Sequence, residues 1–273
     1  MASLGMLSAA LLLGLFLPSS MANNVLFGGD RLNTGESLRE GNFKFTMMSD
    51  DCTLVLNDND QTVWSSPTNG LGNNCFAHLQ TNGNLVIRND NDQVVWSSNT
   101  AGEEGNYILV LQNDGSVVIF GRSIWSIPPG SNTATSKGAV IVKRGRSDES
   151  TNILYGGHKL RTGEFLREGD YTFVMQSDCN LVLYDDNNNQ VMWSSQTNDL
   201  GSRCFARMQT DGNLVIFEGI NFNQIWDSNT RGPEGKYILV LQRDGHVVIY
   251  GSPILTIPND EPTNRKIAMV TKK

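Results

Sequence analysis

Residues 176–184, QSDCNLVLY, carry an amide, a carboxylate, a second amide, a small apolar group and a phenol at every second position. On a β-strand every second side chain points to the same face. The spacing therefore predicts that one strip of a strand presents Gln176, Asp178, Asn180, Val182 and Tyr184. Such a strip offers donors, acceptors and an apolar contact at fixed distances, as a sugar with several hydroxyl groups requires.

The chain repeats itself at two length scales. Residues 25–128 match residues 153–258, as VLFGGDRLNTGESLREGNFKF matches ILYGGHKLRTGEFLREGDYTF, so the chain is a tandem duplication of a domain-sized unit. Each half contains three shorter repeats, and each of these carries one run related to QSDCNLVLY. We call the six runs strips I to VI in chain order: SDDCTLVLN (49–57), QTNGNLVIR (80–88), QNDGSVVIF (112–120), QSDCNLVLY (176–184), QTDGNLVIF (209–217) and QRDGHVVIY (242–250).

Short strand signals separated by Gly, Asn and Asp turns predict an all-β architecture. A short repeat cannot bury its apolar face alone, so three repeats should pack around a shared core. Tryptophan closes most of the repeats, and where a half has three we expect the converging indoles to form the core rather than to stack on sugars. The closing residues are Trp64, Trp96 and Trp125 in the first half and Trp193, Trp226 and Leu255 in the second.

The length of the chain indicates how many domains it has, and its net charge indicates which partners it does not bind. The chain has 273 residues and a formal net charge of −7, which fits two domains. The acidic balance argues against nucleic acid as a partner, because phosphate binding needs a basic surface. The predicted layout is a signal peptide (1–22), a first domain (23–128), a linker (129–150), a second domain (151–259) and a C-terminal tail (260–273).

The apolar N-terminal segment is typical of a secretory signal peptide and is too short to span a membrane. No later apolar stretch is long enough for a transmembrane helix. We therefore expect the secretory pathway, with an extracellular or vacuolar destination. Exposed linkers are preferred cleavage sites, so processing of the linker and removal of the tail are open hypotheses.

The four cysteines are matched between the halves, Cys52 with Cys75 and Cys179 with Cys204. In a secreted chain this pattern favours one disulfide in each domain. A zinc site is the weaker alternative, because no CxxC pair occurs and the three histidines are scattered. We predict neither a metal nor a cofactor.

The repeated strip gives the chain a resemblance to tandem-domain members of the bulb-type monocot mannose-binding lectins, and the resemblance covers both halves. It implies β-prism II domains, each with three four-stranded antiparallel sheets around a pseudo-threefold axis. It also implies metal-independent binding of mannose-type glycans and glycoproteins. Strand exchange between domains is common in the family, so a dimer or heterotetramer formed by domain pairing is expected.

Strip IV matches the family pattern in full. By the resemblance, Asp178 and Asn180 hold the axial 2-hydroxyl of mannose, and Gln176 reaches the 3-hydroxyl. Tyr184 is expected to bind the 4-hydroxyl, and Val182 to contact the ring carbons.

Strips V and VI depart from the pattern and are expected to bind sugar more weakly. In strip V, Phe217 stands at the tyrosine position and has no phenol hydroxyl. Loss of one neutral hydrogen bond costs about 1 kcal/mol. His246 replaces the asparagine of strip VI and can titrate. The residues that match are Gln209, Asp211, Asn213 and Val215 in strip V, and Gln242, Asp244, Val248 and Tyr250 in strip VI.

The strips of the first half have lost more of the pattern, so little binding of simple mannose is expected there. The first domain is expected to be structural or to recognise a different or larger glycan. Strip II retains Gln80, Asn84 and Val86, with Asn82 at the aspartate position and Arg88 at the tyrosine position. Strip III retains Gln112, Asp114 and Val118, with Ser116 and Phe120 at the asparagine and tyrosine positions. Strip I retains Asp51 and Val55, with Ser49, Thr53 and Asn57 at the other three positions.

Two other classes of function are weighed against a lectin. No GxSxG, HExxH or P-loop run occurs, so an enzyme is not expected. The Asp- and Asn-rich stretches 57–61 and 89–93 resemble a calcium loop but lack the glycine and distal glutamate of an EF-hand. A storage or interaction protein with decayed sugar sites, or one with complex-glycan specificity, is the alternative. The complete strip IV argues against decay. A role in plant defence follows only from family analogy.

Overall fold

A computed structural model describes residues 24–127 and 152–258, and the predicted signal peptide, linker and C-terminal tail lie outside these residues. Every regular element described is a β-strand, as the short alternating runs predict. Within the two described ranges there is no helix that is long and apolar enough to cross a membrane.

The first half contributes twelve described strands. They are β1 (Val25–Phe27), β2 (Arg31–Leu32), β3 (Ser37–Glu40), β4 (Phe43–Met47), β5 (Leu54–Asp58), β6 (Gln61–Ser65), β7 (Phe76–Leu79), β8 (Leu85–Arg88), β9 (Val94–Ser97), β10 (Ile108–Leu111), β11 (Val117–Phe120) and β12 (Ser123–Ile127).

The second half repeats this series. Its strands are β13 (Ile153–Tyr155), β14 (Lys159–Arg161), β15 (Phe165–Glu168), β16 (Tyr171–Met175), β17 (Leu181–Asp185), β18 (Gln190–Ser194), β19 (Phe205–Met208), β20 (Leu214–Phe217), β21 (Gln224–Asp227), β22 (Ile238–Leu241), β23 (Val247–Tyr250) and β24 (Pro253–Ile257).

The strands form six four-stranded antiparallel sheets, one for each strip, and we give each sheet the number of its strip. Four sheets use strands of one half only: sheet I (β3-β4-β5-β6), sheet II (β2-β7-β8-β9), sheet IV (β15-β16-β17-β18) and sheet V (β14-β19-β20-β21). Three sheets around each core confirm the predicted architecture.

Sheets III and VI combine strands from both halves. Sheet III has the order β1-β10-β11-β24, with Val118 opposite Thr256, and sheet VI has the order β12-β23-β22-β13, with Ser126 opposite Val248. The two halves therefore exchange their last strands, as the resemblance implies. We define the first lobe as sheets I–III and the second lobe as sheets IV–VI, and each differs by one strand from the domain predicted from the sequence.

Three indoles meet in the core of the second lobe. Trp125, carried there by β12, lies 6.3 Å from Trp193 and 6.4 Å from Trp226 between ring centroids. Trp193 and Trp226 are 5.7 Å apart, and all three pairs are edge-on, a favourable geometry for aromatic rings.

The first lobe has two indoles instead of three. Trp64 and Trp96 are 6.2 Å apart, and Leu255, carried by β24, packs against the same core. The prediction that Trp125 converges with Trp64 and Trp96 is therefore wrong. The exchange sends the tryptophan of β12 to the second lobe and the leucine of β24 to the first.

A further apolar cluster joins the lobes through the outer faces of sheets III and VI. Strands β10, β11, β22 and β23 are buried on both faces, which explains their nearly continuous apolar runs. The buried members of the cluster are Val25, Ile108, Val110, Val118 and Phe120 of the first lobe and Ile153, Ile238, Val240, Val248 and Tyr250 of the second.

Each lobe contains one disulfide, Cys52–Cys75 in the first and Cys179–Cys204 in the second. Both predicted pairs are confirmed. Each bond closes a loop that starts inside a strip, so it ties the strip to the segment that precedes the next strand.

Candidate functional site

The polar part of each strip lies in a tight turn. In strip IV, β16 ends at Met175 and β17 begins at Leu181, so Gln176, Asp178 and Asn180 form the connection. The Gln176 amide donates to the Asn180 carbonyl at 2.8 Å, which closes the turn. The prediction that all five residues share one strand face is therefore wrong for the three polar ones. Folding back of the chain, not strand alternation, brings them beside Tyr184.

One residue of this turn needs a left-handed backbone conformation in every strip. Glycine adopts it without steric cost, and strips II, III, V and VI have glycine there. A Cβ atom at any of these glycines would come within 2.7 Å of an aromatic ring carbon. Strips I and IV have a cysteine instead, and its disulfide holds the turn. The φ angles are 61° at Cys52, 80° at Gly83, 84° at Gly115, 74° at Cys179, 85° at Gly212 and 80° at Gly245.

Strip IV brings its polar groups together. The Gln176 Nε2 atom donates to the Tyr184 hydroxyl at 2.6 Å, which leaves the phenol proton available to another acceptor. The Asn180 backbone amide donates to Asp178 Oδ1 at 3.0 Å. Within the described residues, Asp178 Oδ2 has no ion-pair or hydrogen-bond partner. Asp178 Oδ2 and the proton of the Tyr184 phenol are therefore not taken by any partner among the described residues.

Neighbouring residues fix the orientation of Asn180. Its Oδ1 atom accepts hydrogen bonds from Ser195 Oγ at 3.0 Å and from the Thr197 amide at 3.2 Å. Thr197 is held in turn by a 2.6 Å hydrogen bond to the Cys179 carbonyl. Because the oxygen is occupied, the Nδ2 group must point away from these partners, and it donates to no other described residue. Asn180 thus offers a donor beside the open oxygen of Asp178.

Val182 is buried at the apolar end of strip IV. The side chain is 0% exposed and packs in a small cluster with Val174, Tyr184, Phe165 and Val191. Phe165 and Val191 come from the two strands that flank β16 and β17 and cover the apolar end of the strip. Val182 therefore packs beneath the strip, and its contact with the ring carbons of a sugar stays a prediction.

Strip V has nearly the same residues in a different environment. Asp211 Oδ2 pairs with Arg231 Nε at 2.9 Å. Asn213 Nδ2 donates to Asp227 Oδ2 at 2.9 Å, while its Oδ1 atom accepts from Ser228 and Thr230 as Asn180 does in strip IV. The two groups that are open in strip IV are thus paired within the protein in strip V.

The aromatic position of strip V packs instead of donating a hydrogen bond. Phe217 stacks on Phe205 with ring centroids 5.5 Å apart, and Lys159 Nζ lies 4.7 Å from the Phe205 centroid. The Gln209 Oε1 atom is buried and has no hydrogen-bond partner among the described residues. Strip V therefore retains the residue types of a sugar site but few of its open hydrogen-bonding groups.

Strip VI lies at the junction of the lobes. A cleft of about 490 Å³ is lined by Gln242, Asp244, His246 and Tyr250 together with residues of the first lobe, including Phe27. Gln242 Nε2 donates to the Tyr250 hydroxyl at 2.5 Å, as in strip IV.

The titratable groups of strip VI lie close together. Burial, and then the Asp244 carboxylate, raise the pKa of the Tyr250 phenol above its usual range, so this phenol keeps its proton. The His246 Nδ1 atom is 2.9 Å from Asp244 Oδ2 but makes no hydrogen bond. Val248 and Tyr250 are buried against the first lobe, so the apolar end of this strip is closed.

Strip III is closed in the same way by the second lobe. Val118 and Phe120 are buried in the cluster between the lobes, and Asp114 Oδ1 accepts from the Ser116 amide at 2.9 Å. Burial raises the pKa of the Tyr155 phenol above its usual range, and the carboxylates of Glu40 and Asp114 raise it further. Tyr155 of the second lobe therefore lies near the acidic group of strip III.

In strip II the asparagine is hydrogen-bonded to its neighbours through both its oxygen and its nitrogen. Asn84 Nδ2 donates to Gln80 Oε1 at 3.3 Å, and Asn84 Oδ1 accepts from Ser97 and Ser98. Asn82 Oδ1 accepts from the Asn84 amide at 3.2 Å. Val86 is buried, as in the other strips.

Strip I lacks the hydrogen-bonding pattern of strip IV. Thr53 stands in place of the asparagine, and its amide donates to Asp51 Oδ1 at 3.0 Å. Asn57, at the tyrosine position, accepts from Thr62 at 3.0 Å. Across residues 24–127 and 152–258, no three His, Cys, Asp or Glu side chains come together in a group that could hold a metal ion.

Sequence reasoning missed the residues that decide which strip is open. Asp227 takes the place of a serine when WDSNT (226–230) is compared with WSSQT (193–197), and Arg231 replaces the alanine of NTAGEEG (99–105). Both differences are visible in the repeats. Their effect depends on contacts across the sheet, which the strip motif does not include.

No family model matches the chain. The chain is 36% identical to mannose-specific lectin 2 of Colocasia esculenta over 203 residues, which are 72% of each protein. The chain is 47% identical to the mannose-specific lectin of Galanthus nivalis over 79 residues. This matched segment is 29% of this chain and half the length of that lectin. The structure is similar to that of the fetuin-binding agglutinin of Scilla campanulata, a two-domain lectin, with a TM-score of 0.72 and 33% identity over 86% of this chain and 100% of that chain.

Proposed function

Because the chain belongs to the family of monocot mannose-specific lectins, we propose that it binds mannose-type glycans and glycoproteins through strip IV without a metal ion. The observation that carries this proposal is the pair of open groups at Asp178 and Asn180. The relatives are lectins, so the chain is not an enzyme, and they do not favour a storage protein with decayed sites.

The open groups of strip IV suit a sugar hydroxyl. A hydroxyl can donate to Asp178 Oδ2 and accept from Asn180 Nδ2, which uses both of its hydrogen-bonding capacities. The bond to the carboxylate is charge-assisted and roughly twice as strong as a neutral one. We assign the axial 2-hydroxyl to this pair, and the 3- and 4-hydroxyls to Gln176 and Tyr184. These two side chains are already held together by their own hydrogen bond, so ordering them costs little on binding.

A single site of this size is expected to be weak, with a dissociation constant of about 1 mM, or about −4 kcal/mol. Display of several sites on one particle would raise the avidity without new contacts. Strand exchange joins the two lobes within the chain. We propose further assembly to a dimer or heterotetramer, which light scattering of the native protein would test.

Secretion and defence belong to the same proposal. The N-terminal segment of the sequence supports entry into the secretory pathway, with an extracellular or vacuolar destination. Family analogy supports a role in plant defence. N-terminal sequencing of the mature protein would test the first point, and a start at Asn23 or Asn24 is expected.

A glycan array of the native protein tests the binding proposal. Mannose-terminated glycans should bind, and EDTA should not change the signal. The Asp178→Ala variant should lose most of the signal, whereas Asp170→Ala, which removes an exposed carboxylate outside the strips of the same lobe, should not. Thermal unfolding of both variants checks the fold. Equal binding by Asp178→Ala and the unaltered protein would overturn strip IV as the site.

A further inference from the structure

A cleft in the first lobe follows sheet II. Its volume is about 970 Å³, and Arg31, Phe76, His78 and Arg88 are among the lining residues. Arg88 is the last residue of strip II and stands where strip IV has Tyr184. The position that offers a phenol in strip IV thus offers a guanidinium group in this cleft.

The strand register brings the cationic side chains to one face. Arg31 on β2 is opposite His78 on β7, and His78 is opposite Val86 on β8. Phe76 is opposite Arg88 in the same pair of strands. Directly opposed residues of antiparallel strands project to the same side, so the two arginines, the histidine and the phenylalanine form one surface.

Phe76 is on β7, between the strands that carry Arg31 and Arg88. The Arg31 Cζ atom is 5.2 Å from the centroid of the Phe76 ring, within the range of a cation–π contact. Arg88 is the cross-strand neighbour of the same ring on its other side. One guanidinium group therefore lies over the ring and a second arginine stands opposite it on the next strand, an arrangement that offers charge and an apolar platform together.

Both arginines keep N–H groups for a ligand. Arg88 donates from Nη1 to the Asp92 carbonyl at 2.8 Å, and the same atom is 3.5 Å from the Asp92 carboxylate. Among the described residues, Arg88 Nη2 and Nε donate no hydrogen bond. Arg31 makes no ion pair with any described residue. Asp92 is exposed, so its pairing with Arg88 is weak.

Arg31 and Arg88 both act electrostatically on His78, which stands between them on this surface. Burial, followed by the charge of Arg88, lowers the pKa of His78 below its ordinary value, and Arg31 acts in the same direction. Asp30 opposes this shift but does not reverse it. Glu36, which also lines the cleft, is engaged by the amide of Asn33 at 2.8 Å.

We propose that the sheet II cleft binds an acidic sugar residue, with its carboxylate or sulfate group on Arg31 and Arg88 and its apolar face on Phe76. Guanidinium groups bind such planar or tetrahedral anions through paired N–H bonds, which a lysine or a neutral side chain cannot reproduce. The inference adds a second ligand class at a second site. It does not depend on mannose binding by strip IV.

The test is a glycan array with three matched arms: glycans that end in a carboxylated sugar, the same glycans with a sulfated sugar, and their neutral counterparts. The native protein should bind at least one acidic arm and should bind the neutral arm less well. The arm that binds identifies the anion. Arg88→Gln and Arg31→Gln should each reduce this binding by about tenfold or more, since hydrogen bonds to charged groups are the strong ones.

Two controls separate the possible failures. Arg161→Gln removes the same charge from an exposed site in the second lobe and should leave acidic-glycan binding unchanged. Asp178→Ala should abolish mannose binding and preserve acidic-glycan binding, so the two proposals fail separately. Equal binding of acidic and neutral glycans, or an equal loss with Arg161→Gln and Arg88→Gln, would overturn the proposal. Thermal unfolding of each variant, together with retained mannose binding, shows that the fold is intact.

Discussion

Strips IV and V share four of five residues, and their turns, strand registers and buried valines correspond. They differ in what surrounds those residues. In strip IV the asparagine faces Ser195 and Thr197 and keeps its amide donor open. In strip V the donor is taken by Asp227, and the carboxylate of Asp211 is taken by Arg231.

The difference shows that a binding motif is defined by its open hydrogen-bonding groups as well as by its residues. A ligand must compete with partners that already satisfy the donors and acceptors of strip V. A sugar that displaces one of these partners gains little binding free energy, because one hydrogen bond is exchanged for another. Sequence comparison alone ranks strip V just below strip IV, whereas the structure separates the two strips more widely.

The largest effect is expected from removing the carboxylate of each strip in turn. Asp178→Asn keeps an oxygen that can accept from the Asn180 amide and removes only the charge. Mannose affinity should fall by about tenfold or more, because hydrogen bonds to charged groups contribute about 1.5–3 kcal/mol. Asp211→Asn should change binding by less than about twofold, because Asn213 beside it already donates to Asp227 and strip V is therefore expected to hold little sugar.

Titration calorimetry of both variants with a mannose-terminated oligosaccharide would measure this contrast. Equal losses of affinity in the two variants would mean that the contacts of Asp227 and Arg231 do not keep sugar out of strip V. The comparison between the strips would then fail.

A smaller effect is expected from exchanging the aromatic residues. Tyr184→Phe removes the phenol that Gln176 contacts and should lower affinity by about fivefold, or about 1 kcal/mol. Phe217→Tyr by itself should not create a site, because Asn213 and Asp211 remain paired. Adding Asp227→Ser should raise the number of sites seen by calorimetry. A new site with Phe217→Tyr alone would contradict this account of strip V.

The smallest effect is expected from Arg231→Gln. The arginine side chain is 69% exposed, and exposed ion pairs contribute only about 0.2–1 kcal/mol. Binding at strip V should therefore rise by no more than a few-fold, and the stability of the protein should hardly change. Calorimetry and thermal unfolding at low and high salt would check both points. A large gain in affinity would assign the closure of strip V to Arg231 rather than to Asp227.

Much of the architecture could be predicted from local pattern. The repeats in the sequence predict the duplicated halves, the three units in each half and the antiparallel sheets. The matched positions of the cysteines in the two halves predict the disulfides Cys52–Cys75 and Cys179–Cys204. The candidate residues of the strips were also found in this way. The turn within each strip was missed, because alternation along a chain looks the same on a strand and across a short reversal.

The remaining features depend on contacts between distant residues. Strands β12 and β24 have equivalent positions in their halves, so their sequences do not say which lobe each will join, and the structure places Trp125 in the second lobe and Leu255 in the first. The same holds for the closed ends of strips III and VI, where each lobe covers the other. Local sequence specifies strand period and turn conformation because these depend on adjacent residues, whereas the availability of a hydroxyl, amide or carboxylate depends on which surfaces the folded chain brings against it.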